Sequence, residues 1–263
     1  MNHNTRIMGL FLCFILLFTY VLSSSAFAQD DIVIDTSYAS NGYFTINYSG
    51  QAILKMKVGV SHNNSDTYYD YTACETSSYA FAEGDGHYTI ALYENVSGKK
   101  YKCVASKEVK VLLNDDLSPF LVNTREVNFS KDDIVSQKAD EICEGLTDTL
   151  SKVTAIYDYV HDNISYDYEF AANVSSGKIK TYTPKATKIL SSHKGICYDF
   201  ATLFAAMCRS QGIPCRIKKG YYRSIYHAWN EVYIDGLWYK VDTTTSMNKE
   251  ILKKNLTKKE ENK

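Results

Sequence analysis

Residues 194–200 read Lys194-Gly195-Ile196-Cys197-Tyr198-Asp199-Phe200 and begin the longest apolar pattern of the chain, which ends at Gly212-Ile213-Pro214. Glycine suits the left-handed residue after a helix and proline prevents its continuation, so the pattern predicts one α-helix. Apolar residues surround most of its circumference, which predicts a central, buried helix. Cys197 stands at the N-terminus, where unpaired backbone N–H groups stabilise a thiolate and lower the pKa of the thiol. The stretch therefore predicts a reactive cysteine on a core helix.

A predicted hairpin after this helix carries a histidine and an aspartate. Asp235-Gly236 separates two apolar strand patterns, and this dipeptide favours a two-residue turn that fixes the register. In that register Trp229 lies opposite Asp242, and His227 is the diagonal neighbour of Asp242, roughly 7 to 8 Å away between Cα atoms. A thiol on a helix, with a histidine and a carboxylate on adjacent strands, is the arrangement that thiol-dependent acyl transfer needs. We predict Cys197, His227 and Asp242 as catalytic residues.

Each predicted catalytic residue has a separate chemical role. Cys197 attacks a carboxamide carbon, His227 holds the thiolate as an ion pair and protonates the leaving amine, and Asp242 orients the imidazole. The Cys197 N–H is placed to donate to the developing oxyanion, with Tyr182 as a candidate second donor. Trp229 is a candidate substrate wall beside the thiol, and the alternative for it is packing within the hairpin.

The chain divides into five predicted segments. Residues 1–28 carry Arg6, an apolar run and small residues at Ala26 and Ala28, which is typical of a secretory signal peptide cleaved after Ala28. From residue 32 to about residue 111, alternating apolar residues punctuated by glycine predict an immunoglobulin-like β-sandwich. A polar linker, helices and then strands follow. The predicted boundaries are 1–28 for the signal peptide, 29–113 for the β-sandwich, 114–129 for the linker, 130–247 for the catalytic domain and 248–263 for a basic tail.

Turn and cap motifs refine these two regions. Asp85-Gly86-His87-Tyr88 is similar to the tyrosine corner of immunoglobulin-like domains. Ser130 is predicted to cap the first helix, and Thr183 before Pro184 is predicted to cap a short helix that ends near Leu190.

Cysteine use depends on the predicted export. An exported chain would keep six cysteines in an oxidising medium, where they can pair. Cys74 and Cys103 are the predicted pair, because both lie in the β region. We expect a secreted or cell-surface protein, and a composition rich in Lys, Asn, Ile and Tyr favours a bacterial source.

The motifs together resemble the transglutaminase-like superfamily. The resemblance rests on Gly195-Ile196-Cys197, on Arg209 before Gly212-Ile213-Pro214, on His227-Ala228-Trp229-Asn230-Glu231-Val232, and on Asp235-Gly236-Leu237-Trp238 with Val241-Asp242. It extends from Val153 to Thr244, because Ala155–Val160 with Ile164-Ser165-Tyr166 looks like the helix that opens the superfamily's core.

This resemblance implies a papain-like α+β fold, with helices packed on an antiparallel sheet, and a Cys-His-Asp triad carried onto Cys197, His227 and Asp242. Members include protein cross-linking enzymes, deamidases, peptide hydrolases and non-catalytic relatives. Two positions depart from the pattern: Thr243 stands where many relatives have proline, and Cys215 stands where alanine is usual.

Charge and spacing argue against two other classes of function. A formal net charge of −1 provides no excess of basic residues, so no nucleic-acid partner is predicted. Cys197 and Cys208 are separated by about 16 Å along one helix, which is too far for a shared zinc ion. We predict neither a metal nor a cofactor.

We therefore expect a secreted cysteine acyltransferase or hydrolase that acts on glutamine carboxamides or peptide amide bonds of extracellular proteins or cell-wall peptides. Hydrolysis is favoured over cross-linking, because the sequence has no acidic loop with calcium-ligand spacing. No stable membrane insertion is expected after signal cleavage, and the oligomeric state stays open. The alternative is a non-catalytic extracellular adhesion or scaffold protein whose transglutaminase-like domain binds peptides.

Overall fold

The computed structural model of the chain describes residues 31–50, 55–222 and 225–245. The predicted signal peptide and the basic tail lie outside the described residues. Within the described residues there are twelve β-strands and five α-helices: strands come first, then helices, then strands again. The predicted α+β class is confirmed. In this part of the chain, no helix is long and apolar enough to cross a lipid bilayer.

Seven strands of the first region form two sheets. They are β1 (Ile32–Asp35), β2 (Tyr43–Tyr48), β3 (Met56–His62), β4 (Ser65–Tyr71), β5 (Ser77–Ala80), β6 (Gly86–Ser97) and β7 (Lys100–Val111). One sheet has the strand order β1-β2-β5 and the other β4-β3-β6-β7, and the pairings are antiparallel. β4 is therefore an edge strand.

Alternate side chains of these strands build one apolar core. Phe44 and Ile46 of β2 and Ile90 of β6 are fully buried in it. The hydroxyl of Tyr88 donates to the carbonyl oxygen of Gly84 over 2.8 Å, which is the bond expected of a tyrosine corner. The immunoglobulin-like assignment of the region stays a prediction.

The predicted disulfide between Cys74 and Cys103 is wrong. Both thiols are free and exposed. Cys74 follows β4, whereas Cys103 lies on β7, three strands away in the same sheet. Three strand spacings are roughly 14 Å, while a disulfide needs Cα atoms within about 7 Å of each other. Membership of the same β region was therefore too coarse a criterion for pairing them.

The five α-helices belong to the second region. They are α1 (Ile134–Ile142), α2 (Thr149–Asn163), α3 (Tyr168–Ser175), α4 (Ala186–Ser192) and α5 (Cys197–Ser210). Every residue of α5 from Asp199 to Arg209 is buried, so the predicted central helix is confirmed. Gly212 follows it with a φ of 70°, a left-handed conformation that favours glycine after a helix.

Two predicted helix caps are wrong. The carboxylate of Asp133 caps α1 by accepting two first-turn N–H groups, whereas Ser130 lies outside the helix. The helix that Thr183 was predicted to cap is α4, which begins at Ala186. The N–H of Ala186 donates to Oδ1 of Asn128 over 2.9 Å. A distant carboxamide thus supplies the cap that was predicted for Thr183.

A three-stranded antiparallel sheet packs on α5. Its strands are β10 (Cys215–Tyr222), β11 (Ile225–Ile234) and β12 (Leu237–Val241), in the order β10-β11-β12. Ile234 pairs with Leu237, and Asp235 and Gly236 have φ angles of 48° and 89°. The predicted two-residue turn and its register are confirmed.

A short parallel bridge connects the end of α2 to the start of α5. It consists of β8 (Ser165–Tyr166) and β9 (Lys194–Gly195). The N–H of Ser165 donates to the carbonyl of His193, and the N–H of Asp167 donates to that of Gly195, each over 2.8 Å. The bridge fixes Tyr166 directly beside the residues that lead into Cys197.

The predicted linker, residues 114–129, packs against both regions. The N–H of Arg125 donates to the carbonyl of Ser78 over 2.8 Å. The carbonyl of Val122 accepts from Nη1 of Arg209, at the end of α5, over 2.6 Å. The exact domain boundaries stay predictions.

Candidate active site

Cys197 is the first residue of α5 and is partly buried. Its N-cap residue, Ile196, provides no side-chain acceptor, so the first-turn N–H groups remain available to another acceptor. The Cys197 sulfur accepts from the N–H groups of Tyr198 and Ala228. Oδ2 of Asp199 accepts from the Ile196 N–H over 2.8 Å, which holds the backbone immediately before the cysteine.

The structure brings His227 and Asp242 to this thiol. Nε2 of His227 lies 2.7 Å from Oδ2 of Asp242, and the imidazole also forms a hydrogen bond with the Cys197 side chain. Since Nε2 faces the carboxylate, Nδ1 is the ring nitrogen that serves the thiol. The diagonal relation predicted from the hairpin register therefore produces a direct hydrogen bond.

The other oxygen of Asp242 is also held. Oδ1 accepts from Oγ1 of Thr244 over 2.6 Å and from its N–H over 3.1 Å. The carbonyl of Thr243 lies 3.0 Å from Nδ1 of His161 on α2. The carboxylate is thus fixed by its own turn, and the turn is fixed by a helix of the core.

Charge in this hydrogen-bond chain favours a thiolate–imidazolium pair. The hydrogen bonds that His227 donates to Asp242 and to Cys197, in that order of size, raise the pKa of His227 to about 9, although burial opposes them. Burial raises the pKa of the Cys197 thiol, but hydrogen bonds from His227 and Ala228 outweigh it, and the pKa falls below its usual value. Burial also raises the pKa of Asp242, but the hydrogen bonds of its carboxylate with His227 and Thr244 outweigh burial and lower this pKa below its usual value.

Tyr166 is a site residue that sequence reasoning missed. Its hydroxyl group forms hydrogen bonds with the side chain and the backbone of Cys197. Burial and then the charge of the neighbouring thiolate raise the pKa of Tyr166 to about 12, so the phenol stays protonated and remains a donor. Its position in Ile164-Ser165-Tyr166, a motif that carries part of the family resemblance, was the available signal.

The two secondary predicted site residues lie at the edges of this group. The hydroxyl of Tyr182 donates to Oδ1 of Asp199, so it supports the carboxylate that holds the start of α5. The ring of Trp229 stacks beside that of His227, with 6.4 Å between centroids, and Nζ of Lys240 lies 4.3 Å from its centre. Roles for Tyr182 and Trp229 in substrate binding stay predictions.

Residues 31–50, 55–222 and 225–245 contain no group of three or more His, Cys, Asp and Glu side chains that could hold a metal ion. The buried thiols of Cys143, Cys208 and Cys215 lie near one another in the core of the second region. Burial raises the pKa of Cys143 and of Cys208, so these two groups remain neutral thiols, unlike Cys197.

A comparison with protein families places this site in a known class. Residues 136–243 match the family model of the transglutaminase-like superfamily. This part of the chain is therefore a transglutaminase-like domain, and it contains all three residues of the Cys197 hydrogen-bond chain.

Relatives with curated names match part of the chain. Kyphoscoliosis peptidase of Mus musculus is 34% identical over 107 residues, which cover 36% of this chain and 15% of that protein. The Homo sapiens protein of that name is 34% identical over 125 residues, covering 43% and 18%. The chain thus spans less than a fifth of the length of these two relatives.

A solved structure of a candidate cysteine protease from Cytophaga hutchinsonii is similar over a longer stretch. It aligns with 77% of this chain and 78% of its own, at 22% identity and a TM-score of 0.43.

Proposed function

We propose that the chain is a thiol-dependent enzyme that transfers or hydrolyses the acyl group of glutamine carboxamides or peptide amides. The observation that carries the proposal is the continuous hydrogen-bond chain from Cys197 through His227 to Asp242. A buried structural cysteine would have a raised pKa. The Cys197 thiol is instead stabilised as an anion by an imidazolium and by two backbone N–H groups.

Acylation would use every member of this chain. The Cys197 thiolate adds to the amide carbon. The resulting oxyanion accepts from the Tyr166 hydroxyl and from the Cys197 N–H, where it replaces the Tyr166 oxygen as the acceptor. When the C–N bond breaks, the His227 imidazolium gives its proton to the leaving nitrogen, and an acyl thioester remains. Ammonia leaves when the substrate is a glutamine side chain.

Deacylation would restore the resting ion pair. Neutral His227 takes a proton from the attacking water or primary amine, and the tetrahedral intermediate then expels the Cys197 thiolate. Water yields a glutamate from glutamine, whereas a lysine amine yields an isopeptide bond. We propose hydrolysis as the main outcome, because the sequence offers no calcium loop of the kind found in animal cross-linking enzymes.

A mass-spectrometric assay with glutamine peptides tests this function. The protein should convert glutamine to glutamate, or couple it to a labelled primary amine, and Cys197→Ala should abolish either product. The matched control is Cys103→Ala, which removes an exposed thiol from β7 and should leave turnover intact. Equal turnover in Cys197→Ala and in the unaltered protein would refute the proposal.

A non-catalytic peptide-binding protein is the competing function, and the reactivity of Cys197 separates the two. An enzyme needs this thiol to react with iodoacetamide near neutral pH much faster than the exposed Cys74 and Cys103, and to lose that advantage in His227→Ala. Uniform slow labelling of all thiols would favour the binder. Peptide mapping of the labelled protein identifies which cysteine reacted.

We further propose that the protein acts after export, on extracellular proteins or cell-wall peptides. The support is the composition of residues 1–28, with an apolar run that ends in small residues at Ala26 and Ala28. N-terminal sequencing of protein recovered from the medium or the cell surface should begin at Gln29. A chain that stays inside the cell with residue 1 intact would contradict this step.

A further inference from the structure

Two edge strands line one cleft between the first and the second region. β4 ends one sheet and β10 ends the other. The cleft has a volume of about 580 Å³ and is lined by residues 65–69 of β4 and 216–219 of β10. An extended chain in a sheet occupies roughly 160 Å³ per residue, given its rise, the strand spacing and the sheet separation. The cleft therefore has room for about three to four residues of a strand.

Alternate backbone groups of β10 face away from β11 and toward the free edge. The N–H of Tyr233 donates to the carbonyl of Pro214 over 2.9 Å, and in an antiparallel ladder every second pair after this one is hydrogen-bonded in the same way. The residues between them direct their groups outward. The first of these is Cys215, whose carbonyl accepts from Nε of Arg209 over 2.9 Å. The next are Ile217, Lys219 and Tyr221.

The cleft lies beside residues that adjoin the reactive pair. Tyr226 lines it and directly precedes His227 in β11. On the other side, Nζ of Lys219 lies 3.9 Å from the ring centre of Tyr198, the residue after Cys197. A chain held against β10 would therefore lie next to the residues that adjoin both the imidazole and the thiol.

The wall opposite β10 carries negative charge. Asp66 and Glu83 line the cleft from the first region. Two of the three β10 cations in the cleft are already paired, Arg216 with Glu231 over 2.7 Å and Lys219 with another glutamate. The two carboxylates of the first-region wall therefore favour a basic side chain that faces them.

We propose that the free edge of β10 binds an extended polypeptide segment by β-augmentation, with a basic side chain directed at Asp66 and Glu83. The outward N–H and C=O groups supply main-chain bonds, and the first region supplies the second wall. The inference rests on the proposed function in one respect: the bound segment flanks the residue that reacts with Cys197. The substrate class is then a polypeptide rather than a small amide.

Peptide binding to the Cys197→Ala protein tests the proposal without any need for turnover. The probe is a short, terminally blocked, fluorescein-labelled peptide of alternating threonine and valine with one central lysine, and its anisotropy reports binding. Lys219→Pro removes an outward N–H and should weaken binding about three- to tenfold, the value of one main-chain hydrogen bond. Lys219→Ala removes the same ammonium group but keeps the N–H, so it is the matched control and should change binding about twofold at most.

The peptide offers a second test that needs no variant of β10. Alternate residues of the bound peptide direct their N–H groups toward β10, and the residues between them direct theirs away. Main-chain N-methylation of the first set should abolish binding, and methylation of the second set should leave most of it. Replacing the central lysine by glutamate should weaken binding about twofold or more. Equal effects of the proline and alanine variants, or of the two methylated peptides, would overturn the proposal. These outcomes are independent of the iodoacetamide result, so failure of peptide binding and failure of the proposed chemistry are distinguishable.

Discussion

Cys197 owes its reactivity to a balance of opposing effects on one sulfur atom. Burial favours the neutral thiol, whereas the helix N-terminus, the Ala228 N–H and the His227 imidazolium favour the thiolate, and these prevail. The helix-start position was readable from Gly195-Ile196-Cys197, and it already predicted a lowered pKa. The contribution of Ala228 could not be predicted from the sequence, because every residue except proline has a backbone N–H, and the residue type does not show which one contacts the sulfur.

The pH dependence of turnover should have an alkaline limit set by His227. Its pKa is raised to about 9, so the imidazolium persists through neutral pH and its proton is lost as the pH rises through about 9. Asp242 is the largest cause of this rise, so Asp242→Asn should move the alkaline limb of kcat/KM to lower pH. At a fixed pH above both pKa values, the protonated fraction of His227 falls about tenfold for each pKa unit lost.

The control for this experiment is Asp235→Asn, which removes a carboxylate from the hairpin turn, where asparagine also tolerates the left-handed conformation. Its pH profile should match that of the unaltered protein. An alkaline limb that does not move in Asp242→Asn would mean that His227 is not the titrating group.

Tyr166 should contribute to the reaction as an oxyanion donor. Tyr166→Phe keeps the ring but removes the hydroxyl that bonds to Cys197, and it should lower kcat about 10²- to 10³-fold with little change in KM. Tyr168→Phe is the matched control, because this neighbouring tyrosine is 79% exposed and touches Tyr166 through its ring. A rise in KM with an unchanged kcat would instead assign Tyr166 to substrate binding.

Among the elements, the β11–β12 hairpin was the best predicted from sequence and the β8–β9 bridge the least. Asp235-Gly236 determines its register through local backbone geometry alone, which is why His227 and Asp242 were placed correctly. The β8–β9 bridge is a two-residue parallel pairing between segments that are far apart in the sequence. It has no periodicity to detect, so the position of Tyr166 at the thiol required the structure.

Helix caps show the same division between local and distant information. Asp133 and Ser130 are both good capping residues within three positions, and sequence preference does not choose between them. Asn128 caps α4 from a separate segment, so no reading of Thr183-Pro184 could have predicted it.

Gly195 should be required for an intact entry into α5. A Cβ at this position would lie 2.4 Å from Cβ and 3.0 Å from Oδ2 of Asp199, the carboxylate that holds the Ile196 N–H. Gly195→Ala should therefore displace Asp199 and lower the free energy of unfolding by about 1–3 kcal/mol, and labelling of Cys197 by iodoacetamide should slow as well. Thermal unfolding and the labelling rate check the two effects.

A glycine with a different role provides the control for Gly195→Ala. Gly98 lies in a turn of the first region with a φ of 55° and no neighbours near a new Cβ, so Gly98→Ala should cost about 1 kcal/mol through backbone strain alone. Its Cys197 labelling rate should equal that of the unaltered protein. Slower labelling in both variants would show that the effect comes from general destabilisation and not from Asp199.

For the whole molecule, composition and pattern predicted two regions but not how they meet. The contacts that join them involve single groups from distant segments, such as Nη1 and Nη2 of Arg125, which donate to the hydroxyls of Ser77 and Thr72 over 3.0 and 2.9 Å. Such contacts do not follow the repeat of a helix or a strand. They are made by polar residues, which in most proteins lie on the surface. The cleft between β4 and β10 depends on this docking, so it could not be derived from either region alone.

Arg209 should anchor the segment between the two regions to the second region. It is 7% exposed, and its guanidinium donates to the carbonyls of Cys215 at the start of β10 and of Val122 in the segment between the regions. Burial lowers its pKa to about 10, so it is still charged at neutral pH. Arg209→Met would leave both carbonyls without this donor and should lower the free energy of unfolding by about 2–5 kcal/mol in urea titrations. Arg209→Lys should recover only part of this loss, because one ammonium group does not match the two directions of the guanidinium fork.

The control is Lys138→Met, which breaks an exposed ion pair with Glu141 and should lower the free energy of unfolding by about 0.5 kcal/mol or less. A loss no larger than this in Arg209→Met would show that the two carbonyls find other donors.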